Sequence, residues 1–144
     1  MELILKELTD KDEVSKVYEI YKHCMFKPTE EKFGKKADDF LSDSSVTIFA
    51  CFSQGKIVGV MVVSFIKETQ IEIIGIAVAI AERGKGIGSY MINQVKEKCD
   101  LLSVYAETDN DAVGFYRKNG FSIEAFNETY DIETVVRYKC KLTG

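Results

Sequence analysis

Three glycines alternate with basic and apolar residues in one short segment: Arg83, Gly84, Lys85, Gly86, Ile87, Gly88 and Ser89. The segment joins an apolar, strand-like stretch to an amphipathic, helix-like one. The free N–H groups and the dipole at the start of a helix favour an anion, and glycines let a ligand approach the backbone closely. The segment therefore predicts a site for phosphate or pyrophosphate, with a tight turn that binds nothing as the alternative.

Two well-known phosphate loops do not fit this segment. A Walker A loop needs glycine at position 79 and serine or threonine at position 86, where the chain has Ala79 and Gly86. A dinucleotide fingerprint needs G-x-G-x-x-G after the first strand, whereas here Ser89 stands at the last glycine position and the loop follows the fourth predicted strand. The Walker A type is therefore excluded, and nicotinamide or flavin chemistry loses support.

A second segment, DAVGFYRKNGF at residues 111–121, follows downstream. With the pattern R-x-x-G-x-G at Arg83–Gly88, it resembles the two coenzyme A motifs of the GNAT superfamily of N-acetyltransferases, the second of which reads A-x-x-F-Y-x-K-x-G-F. The motifs cover only residues 72–121, but the order of predicted elements is similar to that fold over nearly the whole chain. The resemblance implies an enzyme that moves the acetyl group of acetyl-CoA to a primary amine by direct attack in a ternary complex.

The resemblance also implies roles for residues that match the motifs. The backbone of Ile76, Ala77 and Val78 would pair with the pantetheine arm, and an N–H near Val78 would polarise the thioester carbonyl. Arg83–Ser89 would hold the pyrophosphate, mainly through main-chain N–H groups. Tyr116 would donate a proton to the coenzyme A thiolate, with aromatic packing of its helix as the alternative. No metal would take part.

The second motif departs from the family pattern at one position. Three residues before Ala112 the family often has an asparagine that contacts coenzyme A, whereas this chain has Asp109, with Asn110 beside it. Asn110 is the candidate for that contact, and Asp109 could instead cap the helix. Arg117 and Lys118 could reach the 3′-phosphate of the nucleotide or be solvated on an exposed helix face.

Glu72 is the candidate general base for the attacking amine. Strict two-residue alternation along its strand places its carboxylate on one face with Ile74, Ile76 and Val78, where an acid is costly without a task or a partner. The position also matches the glutamate base of some family members, whereas others deprotonate the amine through ordered water. A solvated residue at the start of the strand is the alternative.

The family builds its acceptor site from the first two helices and the last two strands, with their connections. In this chain those segments carry an excess of acidic residues beside two aromatic ones: Glu30, Glu31, Glu124, Glu128, Asp131, Glu133, Phe126 and Tyr130. A cationic small amine or a protein amino group is the acceptor that we predict, with a solvated acidic loop as the alternative. Two rival functions stay open: a coenzyme A-binding sensor without catalysis, which the retained Tyr116 disfavours, and a nucleotide-binding module of another type.

The hydrophobic pattern predicts the elements that would position these residues, in the order β-α-α-β-β-β-α-β-α-β-β. Strands are predicted near residues 3–5 and at 46–52, 56–66, 70–78, 101–106, 121–126 and 134–142, and helices to near 25 and at 29–41, 87–100 and 109–119. This predicts an α/β (α+β) fold with a mixed central sheet of about seven strands and four helices. We expect one domain over residues 1–144.

Composition bounds the function classes. With 144 residues, 46% hydrophobic and 29% charged, the chain is typical of a globular domain. A net charge of −4 disfavours binding of nucleic acid or an anionic membrane over a broad surface. The apolar run 73–81 is about half of the ~18 residues that a membrane span requires. The expected partners are therefore acetyl-CoA and an amine acceptor, and a homodimer is left open.

The scarce residues disfavour metal chemistry. A single histidine, His23, cannot supply a histidine cluster, and the four cysteines contain no C-x-x-C pair: Cys24, Cys51, Cys99 and Cys140. Without a secretion signal at the N-terminus, four thiols indicate reduced core residues of a cytoplasmic protein, with a reactive thiol as the alternative.

Overall fold

Seven strands form one mixed sheet in the computed structural model, which describes residues 2–143. In chain order they are β1 (Ile4–Leu8), β2 (Val46–Ser53), β3 (Lys56–Lys67), β4 (Gln70–Val78), β5 (Ser103–Thr108), β6 (Ser122–Tyr130) and β7 (Glu133–Thr143). The spatial order is β1-β2-β3-β4-β5-β7-β6, and every neighbouring pair is antiparallel except β4 with β5. The predicted mixed seven-stranded sheet is confirmed. Positions 1 and 144, the ends of the predicted domain, lie outside the described residues.

Within residues 2–143, five α-helices pack on this sheet, rather than the four predicted. They are α1 (Lys11–Ser15), α2 (Tyr18–Tyr21), α3 (Glu30–Ser42), α4 (Ile87–Lys98) and α5 (Val113–Lys118). Two single 3₁₀ turns, Lys22–Cys24 and Ile80–Glu82, follow α2 and β4. Except for the extra helix, the order of elements is the predicted one.

The extra helix arises because the first predicted helix is split. The N–H groups of Lys16 and Val17 bond to carbonyls only three residues earlier, at 3.2 and 3.1 Å, so the winding tightens between α1 and α2. Val14, Val17 and Ile20 are nevertheless all buried. The helical spacing of apolar residues thus identified the correct face, although it did not reveal the break.

Apolar layers cover the sheet unequally. On one face α4 and α5 pack over a core that includes Met61, Ile71, Met91, Val95 and Phe121. On the other face α1, α2 and α3 bury residues of β1 to β4 only, among them Leu8, Ile48, Val60, Val62 and Ala77. Each fully buried side chain of this size contributes about 1.5–3 kcal/mol. Within residues 2–143, no helix therefore covers the second face of β5, β7 and β6.

The parallel strands β4 and β5 separate soon after they meet. They pair at three positions, the last of which joins Glu72 to Tyr105. From there β4 continues to Val78 and β5 to Thr108 without further pairing, while β5 stays paired with β7 over its whole length. A gap therefore opens between β4 and β5 on the carboxyl side of Glu72.

A bulge interrupts β4 at the point where the gap begins. Val63 of β3 pairs with Ile73, but the preceding residue, Val62, pairs with Gly75. Ile74 is consequently left without a partner on β3, and the two-residue alternation of β4 shifts by one.

The bulge changes the face on which Glu72 lies. Ile71 and Ile73, on either side of Glu72, pack in the α4 and α5 layer, as do Ile76 and Val78 beyond the bulge. Glu72 therefore points to the opposite face. The expectation that Glu72 shares a face with Ile76 and Val78 is wrong, because strict alternation takes no account of the extra residue in a bulge.

Candidate active site

The edge of β4 offers backbone hydrogen bonds to the gap. The N–H of Ala79 donates to the carbonyl of Val58 at 2.9 Å, which fixes the alternation of bonds between β3 and β4. By that alternation the backbone of Ala77 is bonded to β3, whereas the N–H and C=O groups of Ile76 and Val78 point away from β3. Of the three predicted edge residues, Ile76 and Val78 thus face the gap and Ala77 does not.

Two side chains already contact this edge. The thiol of Cys24 donates to the carbonyl of Ile76 at 3.2 Å, and the Nε–H of Arg83 donates to the carbonyl of Val78 at 3.2 Å. Partial desolvation raises the pKa of the Cys24 thiol, although the residue as a whole is exposed. The thiol therefore stays protonated near neutral pH and acts here as a hydrogen-bond donor.

The glycine loop forms an open anion site at the start of α4. Gly84 and Gly86 have φ angles of +81° and +80°, and no atom lies within 4 Å of the position that a Cβ would take at either residue. Gly86 is the N-cap of α4 and supplies no side chain to bond the N–H groups of the first turn. Lys85, which pairs with Glu82 at 2.8 Å, adds a partly exposed cation. The loop therefore presents free N–H groups and positive charge to one side.

The rest of the predicted loop faces the protein. Ile87 is buried in the α4 layer, and a Cβ at Gly88 would lie 2.8 Å from the ring of Phe115 on α5. Gly88 is therefore needed for the close contact of α4 with α5. Ser89 is half-buried in the first turn of α4.

Tyr116 approaches the gap from the α5 side. Its residue is only 5% exposed, and its ring makes edge contacts with Phe115 and Phe121, with centroids 5.2 Å apart in both cases. Burial, and then the nearby thiols of Cys140 and Cys24, raise the pKa of its hydroxyl. Tyr116 therefore packs against its aromatic neighbours, as the alternative expected, and its hydroxyl stays protonated, as a proton donor must.

Glu72 lies at the other side of the gap, on the face that no helix covers beyond β4. It is half-buried and occupies the last position at which β4 and β5 pair. Glu107 lies on the same face, two residues beyond Tyr105 along β5, and is exposed. The sequence had not singled out Glu107, because its face depends on the register of β5.

Asp109 and Asn110, the two residues at the position where the second motif departs from the family pattern, both make side-chain hydrogen bonds in the connection between β5 and α5. The Asp109 carboxylate accepts the N–H groups of Asp111 and Ala112 at 3.0 and 3.1 Å, which fastens the turn before α5. The Asn110 side chain accepts a hydrogen bond from the Tyr138 hydroxyl of β7. Arg117 and Lys118, in the last turn of α5, are exposed.

The predicted acidic residues of the last two strands share the uncovered face with basic ones. Glu124 and Glu128 lie there on β6, beside a row of three cations on β7: Arg137, Lys139 and Lys141. The Nε atom of Arg137 lies 3.6 Å from Glu128, too far for a hydrogen bond, and the Lys139 ammonium lies 5.1 Å from the ring centre of Phe126. The acid excess inferred from sequence is therefore balanced along β7, where Lys139 lies directly opposite Glu107 and Lys141 directly opposite Tyr105. Glu30 and Glu31 are exposed in the first turn of α3.

Sequence reasoning missed two residues at the gap, Tyr21 and Cys24. It gave no role to the first and treated the second as a core thiol. Cys24 meets Ile76 across 52 positions of the chain, and no local pattern signals such a contact.

Residues 14–121 match the model of the acetyltransferase (GNAT) family. The chain belongs to the GNAT acetyltransferase family. This confirms the resemblance drawn from the two motifs, and with it the acetyltransferase class. Acetyl-CoA is the donor that the family generally uses. A search of the curated proteins found no match.

Solved GNAT structures share the fold over nearly the whole chain. The ribosomal-protein-S18-alanine N-acetyltransferase from Escherichia coli superposes with a TM-score of 0.74 at 14% identity, over 99% of this chain and 94% of that one. Ard1 from Thermoplasma volcanium superposes with a TM-score of 0.75 at 21% identity, over 99% of this chain and 98% of that one. A variant of the spermidine N-acetyltransferase SpeG from Vibrio cholerae superposes with a TM-score of 0.76 at 16% identity, over 98% of this chain and 93% of that one. At these identities the likeness establishes the fold.

Two further searches concern membranes and metals. Among the helices of residues 2–143, none combines the length and the apolar composition that crossing a membrane requires. The same part of the chain holds no group of three or more His, Cys, Asp or Glu side chains placed to bind a metal ion.

Proposed function

We propose that this GNAT protein transfers the acetyl group of acetyl-CoA to a primary amine by direct attack in a ternary complex. The observation that carries the proposal is the gap between β4 and β5. It exposes the backbone of Ile76 and Val78, leads to the glycine loop at the start of α4, and has Tyr116 on one face and Glu72 on the other.

The residues around the gap fit acetyl-CoA. An extended chain with amide groups can pair with the free N–H and C=O groups of Ile76 and Val78, as an added strand does. The first-turn N–H groups of α4, with Arg83 and Lys85, suit a pyrophosphate. Cys24 and Arg83 would then have to release the carbonyls of Ile76 and Val78. When bound, acetyl-CoA supplies an activated acetyl thioester.

The chain's own groups complete the chemistry. The amine nitrogen bonds to the acetyl carbon as the carbon–sulfur bond breaks. An acceptor that arrives as an ammonium ion first loses one proton to Glu72 or to a water, and the neutral nitrogen loses a second as the amide forms. Tyr116 gives one proton to the sulfur, so the products are an amide and a thiol, and the remaining proton goes to solvent. The N–H of Val78 stabilises the charge that develops on the carbonyl oxygen.

Burial of Tyr116 is compatible with that proton transfer. Its raised pKa makes the phenol a weaker acid than in water. The same dry surroundings would raise the proton affinity of a sulfur anion beside it, because burial disfavours the charged form of both groups. The donor and the acceptor of the proton therefore remain matched.

We expect the acceptor to be a cationic small amine or a protein amino group that approaches from the uncovered face. The α4 and α5 layer covers the opposite face of the gap. On that face Glu72 and Glu107 supply carboxylates that can contact one ammonium group. The cations of β7, of which Lys139 lies directly opposite Glu107, disfavour a long polycation.

Thiol release from acetyl-CoA across a panel of cationic and neutral amines tests the proposal. We expect turnover with cationic amines, a loss of about a hundredfold in kcat for Tyr116→Phe, and a clear loss at neutral pH for Glu72→Gln. Tyr90→Phe, whose hydroxyl bonds Leu3 instead, is the matched control for the phenol. Glu68→Gln, an exposed residue of the turn before β4, is the control for the carboxylate.

Three results would count against the proposal in different ways. Binding of acetyl-CoA without thiol release on any amine would favour a coenzyme A sensor. Tight binding of ATP or NAD, with weak binding of coenzyme A, would favour an unrelated nucleotide module. Equal rates with cationic and neutral amines would contradict the cationic acceptor alone.

A further inference from the structure

Tyr21 carries a hydroxyl group that packing does not explain. The residue ends α2 and is 3% exposed, and its ring packs against Phe33 and Phe40 at centroid distances of 5.7 and 6.3 Å. Its hydroxyl has no hydrogen-bond partner among the side chains and backbone of residues 2–143. The oxygen is not among the fully buried, unpaired polar atoms of residues 2–143, so it keeps contact with solvent. The hydroxyl is therefore available to a ligand that enters from solvent.

The hydroxyl lies directly over the bulge in β4. A Cβ built on Gly75 would come within 2.5 Å of the Tyr21 oxygen and 2.8 Å of its ring, so only glycine leaves room for this contact. Gly75 follows the unpaired Ile74, where β4 has already parted from β5. It lies on the same face as Glu72. The Tyr21 oxygen is thus held at the edge of the gap, on the side from which we expect the acceptor.

The segment that follows Tyr21 helps to fix the position of the Tyr21 side chain over β4. Three residues further on, Cys24 bonds the carbonyl of Ile76, the residue next to Gly75. Tyr21 and Cys24 therefore contact consecutive residues of β4, one through its hydroxyl and the other through its thiol. Two contacts one turn apart fix both the position and the direction of the Tyr21 side chain.

We propose that the Tyr21 hydroxyl binds the nitrogen of the acceptor amine. This role rests on the proposed amine acetylation. A protonated phenol has oxygen lone pairs that accept a hydrogen bond from an N–H of the amine, and an O–H that donates to a carboxylate or a water. Held in this way, the nitrogen turns its lone pair toward the acetyl carbon beside Ile76. Glu72, on the same face, takes the proton that the amine gives up.

Tyr21→Phe tests the role because it removes one oxygen and keeps the ring, its aromatic neighbours and the contact with Gly75. We expect kcat/KM for the amine to fall about tenfold, the effect of one lost hydrogen bond to the reacting nitrogen. The KM for acetyl-CoA and the melting temperature should stay unchanged. The slow hydrolysis of acetyl-CoA without amine should also stay unchanged, because water does not need the amine contact.

Tyr18→Phe is the matched control. Tyr18 begins the same helix and packs on the same Phe33 at 5.5 Å, but the atoms nearest Gly75 are those of Tyr21 and not of Tyr18. We expect its amine kinetics to equal those of the wild type. Gly75→Ala gives a second test: the new methyl group displaces the Tyr21 hydroxyl, so amine turnover should fall while acetyl-CoA still binds.

The outcomes separate this role from the proposed function. A wild-type protein that acetylates amines, with Tyr21→Phe equally active, overturns the Tyr21 role alone. A loss for Tyr21→Phe that appears equally in the KM for acetyl-CoA or in amine-free hydrolysis also overturns it, because that pattern indicates a general structural role. A wild-type protein that binds acetyl-CoA but acetylates no amine overturns both proposals.

Discussion

Two tyrosines approach β4 from opposite faces of the sheet, and burial raises the pKa of both hydroxyls. Tyr116 comes from α5 on the covered side, and Tyr21 comes from α2 on the side of Glu72. A protonated phenol on each face suits a reaction in which one proton leaves the amine and another must reach the sulfur. In the two proposals Tyr116 therefore serves the sulfur on one face, and Tyr21 serves the amine on the other.

Cys24 allows a direct test of where acetyl-CoA binds. Because burial raises the pKa of its thiol, we expect slow alkylation by iodoacetamide at neutral pH and faster alkylation as the pH rises. Saturating acetyl-CoA should slow the labelling of Cys24, and the labelled protein should bind acetyl-CoA more weakly. Peptide mass spectrometry and calorimetry measure the two effects.

The other cysteines and a serine variant supply controls for that experiment. Cys51 and Cys140 are 0% and 2% exposed and should react only after unfolding. Cys24→Ser keeps a donor for the Ile76 carbonyl, so it should bind acetyl-CoA normally and be insensitive to iodoacetamide. If protein labelled at Cys24 binds acetyl-CoA as well as before, the open edge of β4 is not where its arm lies.

At this scale the sequence predicted residues whose role follows from a local motif. The glycine loop and Tyr116 were singled out as candidates because their spacing along the chain matches two motifs of the family. Tyr21 and Cys24 were missed because their contacts join distant parts of the chain, and their own surroundings are those of an ordinary amphipathic helix. Contacts of that kind become visible only after the strands and helices have been assembled.

Among the elements, α4 and α5 join the two motifs through one close contact. Gly88 in the first motif packs against the ring of Phe115, which precedes Tyr116 in the second. The position of Tyr116 therefore depends on the glycine loop, although more than two dozen residues separate them in sequence.

Gly88→Ala should show this dependence. The new Cβ would lie 2.8 Å from the Phe115 ring, so α5 must shift, and overpacking of this kind costs about 1–3 kcal/mol. We expect a lower free energy of unfolding in urea together with a lower kcat, because Tyr116 moves with α5. Combining it with Phe115→Leu should restore part of both losses.

Gly34→Ala is the matched control for that exchange. Gly34 lies within α3, and no atom lies within 4 Å of the position that its Cβ would take. The same substitution should therefore stabilise the protein, by about 0.5–1 kcal/mol, through helix propensity alone. If Gly88→Ala were equally harmless, the contact of α4 with α5 would not determine the position of Tyr116.

The number and order of the strands followed from hydrophobic pattern and turn residues, but two features of the elements did not. Residues 73–76 are apolar or glycine whether or not β4 contains a bulge, so alternation could not show the shift at Ile74. The break between α1 and α2 also leaves the apolar spacing intact, because hydrogen bonds one residue shorter barely rotate the helix face. Both features are decided by hydrogen-bond register, and side-chain polarity does not report it.

For the molecule as a whole, the site lies where the coverage of the sheet changes. β1 to β4 have helices on both faces, whereas β5, β7 and β6 have helices on one face only. The gap lies at this boundary, so the acetyl donor can be enclosed by α4 and α5 while the acceptor approaches an open face. Charges of both signs lie on that open face, where Lys139 of β7 lies opposite Glu107.

Buried phenols and thiols also make the stability of the whole protein sensitive to alkali. Burial raises the pKa of Tyr21 and Tyr116 above the ordinary value near 10, and that of Cys24, Cys51, Cys99 and Cys140 above the ordinary value near 9. While such a group is protonated in both the folded and the unfolded state, its raised folded-state pKa does not make the free energy of unfolding depend on pH. At higher pH the group ionises first in the unfolded chain, which stabilises the unfolded state and lowers the free energy of unfolding.

We therefore expect the free energy of unfolding, measured in urea under reducing conditions, to be nearly flat between about pH 6 and pH 8 and to fall from about pH 9 upward. From about pH 11, where the unfolded tyrosines have ionised, the two tyrosines together should contribute a downward slope of about 2.7 kcal/mol per pH unit, since each retains one proton in the folded state that the unfolded state has lost. Tyr21→Phe and Tyr116→Phe should each remove about half of that slope, whereas Tyr130→Phe, at the exposed end of β6, should leave most of it. An unchanged slope in both buried variants would mean that the two hydroxyls ionise in the folded protein as they do in water, and Tyr116 could then act as a base in alkali as well as an acid near neutrality.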